Sequence, residues 1–190
     1  MNQLIEDVAD ACAAIDGSGV PFKTFQPGVG PYGEPQLVKL IASSLNQLAA
    51  YRGRALSKRT PDLLITGSWA LEFKIARAFG DNGLEAENWS VNLLHPYSGS
   101  VSVFGDCLKL AAWSGPERRV AIVIGFEHDP AVISLDPLLS AFEAISRQLL
   151  PFHISARVET RRMGLRHPVH RVMRVVGWEI PHSAQYVACE

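Results

Sequence analysis

The chain has 190 residues, 47% of them apolar, with 18 Lys and Arg against 19 Asp and Glu and a formal net charge of −1. That length and composition fit one domain with a substantial core and argue against a disordered chain. The near-neutral balance excludes a globally basic nucleic-acid binder, so any phosphate contact must come from a local patch.

The start, MNQLIEDVADACAAIDG, carries acids and lacks a basic n-region and a long apolar run, so no signal peptide is expected. No stretch has the length of a membrane span. Cys12, Cys107 and Cys189 are widely spaced and lack metal-ligand spacing, which suits reduced thiols and a cytoplasmic protein.

Residues 1–20 read as an amphipathic helix through Leu4, Ile5, Val8 and Cys12, ended by Gly17. Pro21 to Gly33 is a Gly- and Pro-rich loop. Pro35 suits a first helical turn, and Leu37, Leu40, Ile41, Leu45 and Leu48 predict a helix over 35–51 with Glu34 at its cap. Arg52, Arg54, Lys58 and Arg59 form a basic connector. Thr60 to Ala76 then holds two apolar runs around a Gly-Ser turn, a predicted β-hairpin.

Arg77 to Ser102 is a long polar loop, and loops of that length in compact domains are functional or disordered. Its aromatic and His content argues for order. A helix is expected over Val101–Ala112, a buried strand over Arg119–Phe126 and a helix from the Asp136-Pro137 cap to about Leu150. Strands are expected over His153–Glu159 and Val172–Ile180, joined by the most basic segment, RRMGLRHPVHR. This order predicts a three-layer α/β domain with a mixed central sheet, residues 1–33 forming an N-terminal extension and the core running from about 34 to 180.

The hairpin carries charge where strands rarely do. Side-chain alternation puts Ala70, Glu72, Lys74 and Ala76 on one face and Leu71, Phe73 and Ile75 on the other. An acid and a lysine leaving an apolar strand together are costly to bury unless they pair or bind a cation. Asp62 and Glu72 converging make a hard-oxygen site suited to Mg²⁺, with Lys74 beside it to orient water or offset phosphate charge. A two-residue Gly67-Ser68 turn sends Asp62 to the wrong face, so the site requires a three-residue loop, Gly67-Ser68-Trp69, or a bulge.

Pro61-Asp62 followed by Glu72-Phe73-Lys74 resembles the signature of the PD-(D/E)XK, restriction-endonuclease-like nucleases. The helix, hairpin, helix and strand over residues 35 to about 126 match that family's core order. The resemblance implies that Asp62 and Glu72 ligate Mg²⁺ (Mn²⁺ substituting), with the Phe73 carbonyl as an additional ligand. It further implies that Lys74 assists catalysis and that Glu34 supplies the acid many members carry on their first core helix. The implied activity is DNA endonuclease, in restriction, defence or repair. Cutting both strands of a duplex with so small a domain favours a homodimer.

Substrate contacts are expected from Arg77, from His95, Tyr97 and Ser98 in the polar loop, and from Arg161, Arg162 and Arg166 in the basic segment, alongside His167, His170, Arg171 and Arg174. Trp89 reads as a core anchor or a base-stacking surface. Asp106 and Lys109 read as a solvated i, i+3 pair. The competing reading is a non-catalytic nucleic-acid- or protein-binding module that retains the fold, with Lys74 and Glu72 as an internal pair. No Gly-x-Ser-x-Gly elbow, Walker A loop or dinucleotide fingerprint is present.

Overall fold

The helical spacing of Leu4, Ile5, Val8 and Cys12 is realised as α1 (Asn2–Gly17), with these four side chains at most 2% exposed. The computed structural model describes residues 1–96 and 102–182. After α1 come α2 (Glu34–Leu45), β1 (Ala55–Ser57), β2 (Leu63–Ile65), β3 (Trp69–Arg77) and α3 (Val91–Leu94). The chain continues through α4 (Val103–Ala111), β4 (Arg118–Glu127), α5 (Asp136–Leu149), β5 (Val158–Met163) and β6 (Val172–Ile180).

The six strands form one mixed sheet in the order β1-β2-β3-β4-β6-β5. Among the described residues only β3 and β4 run parallel; every other neighbouring pair is antiparallel. Strand alternation then divides the apolar residues between two cores. Leu71, Phe73, Ile75, Ile122 and Ile124 pack with α1 and α2. Ala70, Ala76, Ala121, Val123 and Trp178 pack with α4 and α5. The long apolar run of β4 is thus explained by helices on both of its faces. Helix α1 contributes to the first core.

Several boundaries differ from the sequence expectation. Helix α2 stops at Leu45, not at 51, because Asn46 turns its amide onto the Ala55 backbone, donating to its carbonyl at 2.7 Å and accepting from its N–H at 3.1 Å. Leu48 is consequently 42% exposed. The basic connector contains a short edge strand, β1, that its charges concealed. The polar loop after β3 contains the single-turn helix α3. The fifth strand begins only at Val158, so Arg161 and Arg162 lie within β5 and not in the loop after it. No helix among the described residues is long and apolar enough to cross a membrane.

Candidate metal and catalytic site

The hairpin loop has three residues, Thr66-Gly67-Ser68, since Ile65 pairs with Trp69. The expected loop length is right, but its residues lie one position earlier. Gly67 sits at φ +71°, a left-handed conformation that a side chain would strain, and Ser68 N–H closes the turn onto the Ile65 carbonyl at 2.9 Å. With Leu63 opposite Leu71, the next position puts Asp62 opposite Glu72.

Because β2 ends there, β3 runs on from Phe73 with that edge uncovered by a strand. Side chains satisfy its backbone instead. Asp62 Oδ2 accepts the Phe73 N–H at 2.9 Å. Lys74 Nζ donates to the Phe73 carbonyl at 2.8 Å, and Asn92 Nδ2 donates to the Ile75 carbonyl at 2.9 Å. The Phe73 carbonyl, expected as a metal ligand, is therefore already held by Lys74.

Glu72 and Lys74 are 2% and 6% exposed and face α4. Lys74 Nζ lies 3.2 Å from Glu34 Oε1 and 2.9 Å from Asp106 Oδ2. The lysine thus pairs with neither Glu72 nor Asp62, as an internal-pair reading expected. Glu34 reaches it from the first turn of α2, one residue inside the helix and not at its cap, which is Gly33.

Asp106 and Lys109 are not a solvated pair. Asp106 is 1% exposed and bridges Lys74 and Lys109, the latter at 2.8 Å, while Lys109 Nζ also stands 3.9 Å from Glu72 Oε2. The i, i+3 spacing was visible in the sequence. What it lacked was any sign that this helix face meets the buried lysine of β3.

Glu72 Oε1 is buried without a hydrogen-bond partner. Burial, with the charges of Asp62 and Asp106 adding, pushes the Glu72 carboxyl up to about 8, against a smaller opposing pull from Lys109. Burial likewise raises Asp106 and Glu34 despite Lys74. For Lys74 the desolvation that disfavours its charge is outweighed by Asp106 and Glu34, and the ammonium is held above its usual range.

Glu34, Asp62, Glu72, Lys74, Asn92 and Lys109 line an open depression of about 260 Å³. Around it four carboxylates (Glu34, Asp62, Glu72, Asp106) face two ammonium groups (Lys74, Lys109). Among the described residues no three His, Cys, Asp or Glu side chains form a metal-holding group by themselves. The donor set that does fit is two carboxylates with open space for water and phosphate oxygens, the usual arrangement around Mg²⁺.

The remaining expected contacts are dispersed. Arg77, at the end of β3, donates to the Gly30 carbonyl and lines a second depression beside the first. His95 follows α3, and its carbonyl accepts from Ser102. Tyr97 and Ser98 lie outside the described residues. Arg161 and Arg162 are on β5, three strands from β3 and so roughly 14 Å away by strand spacing. Arg161 is engaged by Glu159 at 2.9 Å and Arg162 by Glu6 and Asp10 at 2.8 and 2.6 Å. Arg166 donates to the Gly17 carbonyl and Arg171 to the Leu165 carbonyl. Arg174, 1% exposed, is clasped by Glu127, Asp136 and Glu159. His167 and His170 are buried as a stacked pair. Arg161, Arg162 and Arg174 are thus paired with acids of α1, β4, β5 and α5, and Arg166 and Arg171 with backbone carbonyls.

No family model, no curated protein and no solved structure matches this chain.

Proposed function

We propose that this chain is a divalent-metal-dependent nuclease, a DNA endonuclease of the restriction-endonuclease-like type acting with Mg²⁺, for which Mn²⁺ substitutes. The observation that carries the reading is Glu72: a strand-centre carboxylate, buried, with one oxygen unpartnered and the position opposite it taken by Asp62. An uncompensated buried carboxylate is expensive, and a bound cation removes the expense. The motif order supports the same reading, with a helix, a hairpin bearing Pro61-Asp62 and Glu72-Phe73-Lys74, a helix and a strand in succession.

In this reading Asp62 and Glu72 hold the ion, which when bound supplies an activated water and positive charge beside the phosphate. Lys74, fixed by Glu34, Asp106 and the Phe73 carbonyl, positions the edge of β3 that carries the ligands. Lys109, bonded to Asp106 but with its side chain 43% exposed at the mouth of the depression, is the lysine of the two that a phosphate oxygen can reach. Cleavage of both strands of a duplex calls for a homodimer.

One observation favours a second reading, a binding module without catalysis: Lys74 is satisfied by protein groups alone. Incubating plasmid DNA with Mg²⁺ or Mn²⁺ separates the two. Cleavage is expected from the wild-type chain and lost in Glu72→Ala, Lys74→Ala. Undiminished cleavage by that double variant removes the nuclease assignment, and absence of Mn²⁺ uptake by calorimetry favours the binding module.

A further inference from the structure

Beyond Lys74 the uncovered edge of β3 continues to Arg77, a run of roughly 16 Å from Glu72 at strand rise. Two depressions lie along it. The first holds the carboxylates and lysines; the second, about 250 Å³, is bounded chiefly by Ile75, Arg77, Glu87 and Trp89. They share Glu34 and Asn92 as lining, so they adjoin as the two lobes of a trough along this edge.

The second lobe presents a particular pair of groups. Trp89 is half-buried, with part of its ring against the α4–α5 core, and its indole N–H has no protein partner among the described residues. Arg77 spends one guanidinium nitrogen on the Gly30 carbonyl and has no other acceptor among the described residues. A planar indole and an arginine fork with spare donors suit an aromatic base and a phosphate. Of the acids about this lobe, Asp81 acts on Arg77 only through its charge, Glu87 is exposed on the rim, and Glu34 is already engaged by Lys74.

Duplex and single-stranded substrates make different demands. Duplex binding draws its affinity mainly from many phosphate contacts, and Arg161, Arg162 and Arg174, expected from the sequence to offer them, are committed to internal carboxylates. Stacking needs no net charge, but it needs a base free of its neighbours, which a single strand provides.

We propose that the trough binds a single-stranded polynucleotide, with one base stacked on Trp89 and its phosphate on Arg77. Placement of a phosphodiester two or three nucleotides further along over Asp62 and Glu72, as the span of β3 requires, rests on the nuclease reading; the binding itself does not.

The test is anisotropy of labelled oligothymidylate, oligouridylate and a duplex of equal length, titrated with the full chain in EDTA. Single strands are expected to bind more tightly than the duplex. Trp89→Leu is expected to weaken single-strand binding on the order of 5- to 150-fold, while Trp89→Phe retains most of it. Arg77→Gln weakens it separately and flattens its salt dependence, so the inference remains testable should Trp89→Leu fold poorly. Equal or tighter duplex binding overturns the proposal, as does single-strand binding indifferent to both Trp89→Leu and Arg77→Gln in folded protein. Stacking-dependent binding by a chain that cleaves nothing in Mg²⁺ keeps this inference and removes the nuclease. Duplex cleavage unaffected by Trp89→Leu does the reverse.

Discussion

Glu72 concentrates the tension between folding and function in one side chain. Its Oε1 is buried without a hydrogen-bond partner, the Asp62 carboxyl beside it raises its pKa further, and the ammonium nearest its other oxygen, Lys109, stands 3.9 Å away. A neutral amide of the same shape spares the fold the cost of protonating or burying this carboxyl, so Glu72→Gln is expected to stabilise the metal-free protein at neutral pH. The gain should be about 1–2 kcal/mol, or roughly 2–8 °C in Tm for a chain of this size. Thermal unfolding in EDTA checks it, and a lower Tm for Glu72→Gln argues that the carboxylate is satisfied without a cation. Lys109 makes the complementary case. Its side chain is 43% exposed and Asp106 keeps Lys74 when it is gone, so Lys109→Ala should leave Tm within a few degrees. Loss of one phosphate-facing cation should lower the single-turnover cleavage rate about 10²-fold, by analogy with removing one oxyanion-stabilising donor. A variant cleaving at the wild-type rate would leave Lys109 as a bystander.

At the scale of elements the site depends on a mismatch in strand length. β2 has three residues and β3 has nine, so the end of β3 lacks a strand on that side and its backbone groups fall to Asp62, Lys74 and Asn92. Register decides whether Asp62 serves at all, because a slip of one position moves a side chain to the other face. An alanine inserted between Asp62 and Leu63 keeps Leu63 opposite Leu71 but gives the place opposite Glu72 to the newcomer. Mn²⁺ binding by calorimetry is expected to vanish while Tm changes by only a few degrees; retained binding would mean that Asp62 is not a ligand. The hairpin, its alternation and the need for a three-residue loop were legible in the sequence, because all three follow from local periodicity. Asp106 was not legible. Its burial is set by Lys74 on another element, more than thirty residues earlier, and an Asp-x-x-Lys helix face looks the same whether it meets water or a buried ammonium. β1 was hidden for a related reason: a short edge strand tolerates the charges that mark a connector.

For the whole molecule, arginines of β5 and β6 act as a clasp. Arg162 joins β5 to α1 through Glu6 and Asp10, and Arg174 gathers Glu127, Glu159 and Asp136 from β4, β5 and α5. Beside them the stacked His167 and His170 fill the space under the loop before α2. A Cβ on Gly30 would come within 2.2 Å of His170 Nδ1, so the glycine is what lets the loop lie on the ring. His170 Nε2 meets the Phe79 carbonyl at 2.9 Å, an acceptor, so the ring donates there and its buried Nδ1 is left bare. Burial accordingly pushes His170 down to about 4, with His167 and Arg77 adding to the effect and the Phe79 carbonyl opposing it. The unfolded chain binds this proton below about 6.5, whereas the folded chain binds it only below about 4. Between those values the unfolded state holds more protons, so stability is full above pH 6.5 and falls as pH drops towards 4. The loss attributable to His170 is on the order of 3 kcal/mol. Chemical denaturation across that window should show the slope, and His170→Gln should flatten it whatever its effect on stability at neutral pH. A variant whose slope matches the wild type would remove His170 as the source of the acid sensitivity in that window. Protonating Glu159 and Asp136 loosens Arg174, but their carboxyls are held below the usual range by that arginine, so their loss belongs to lower pH.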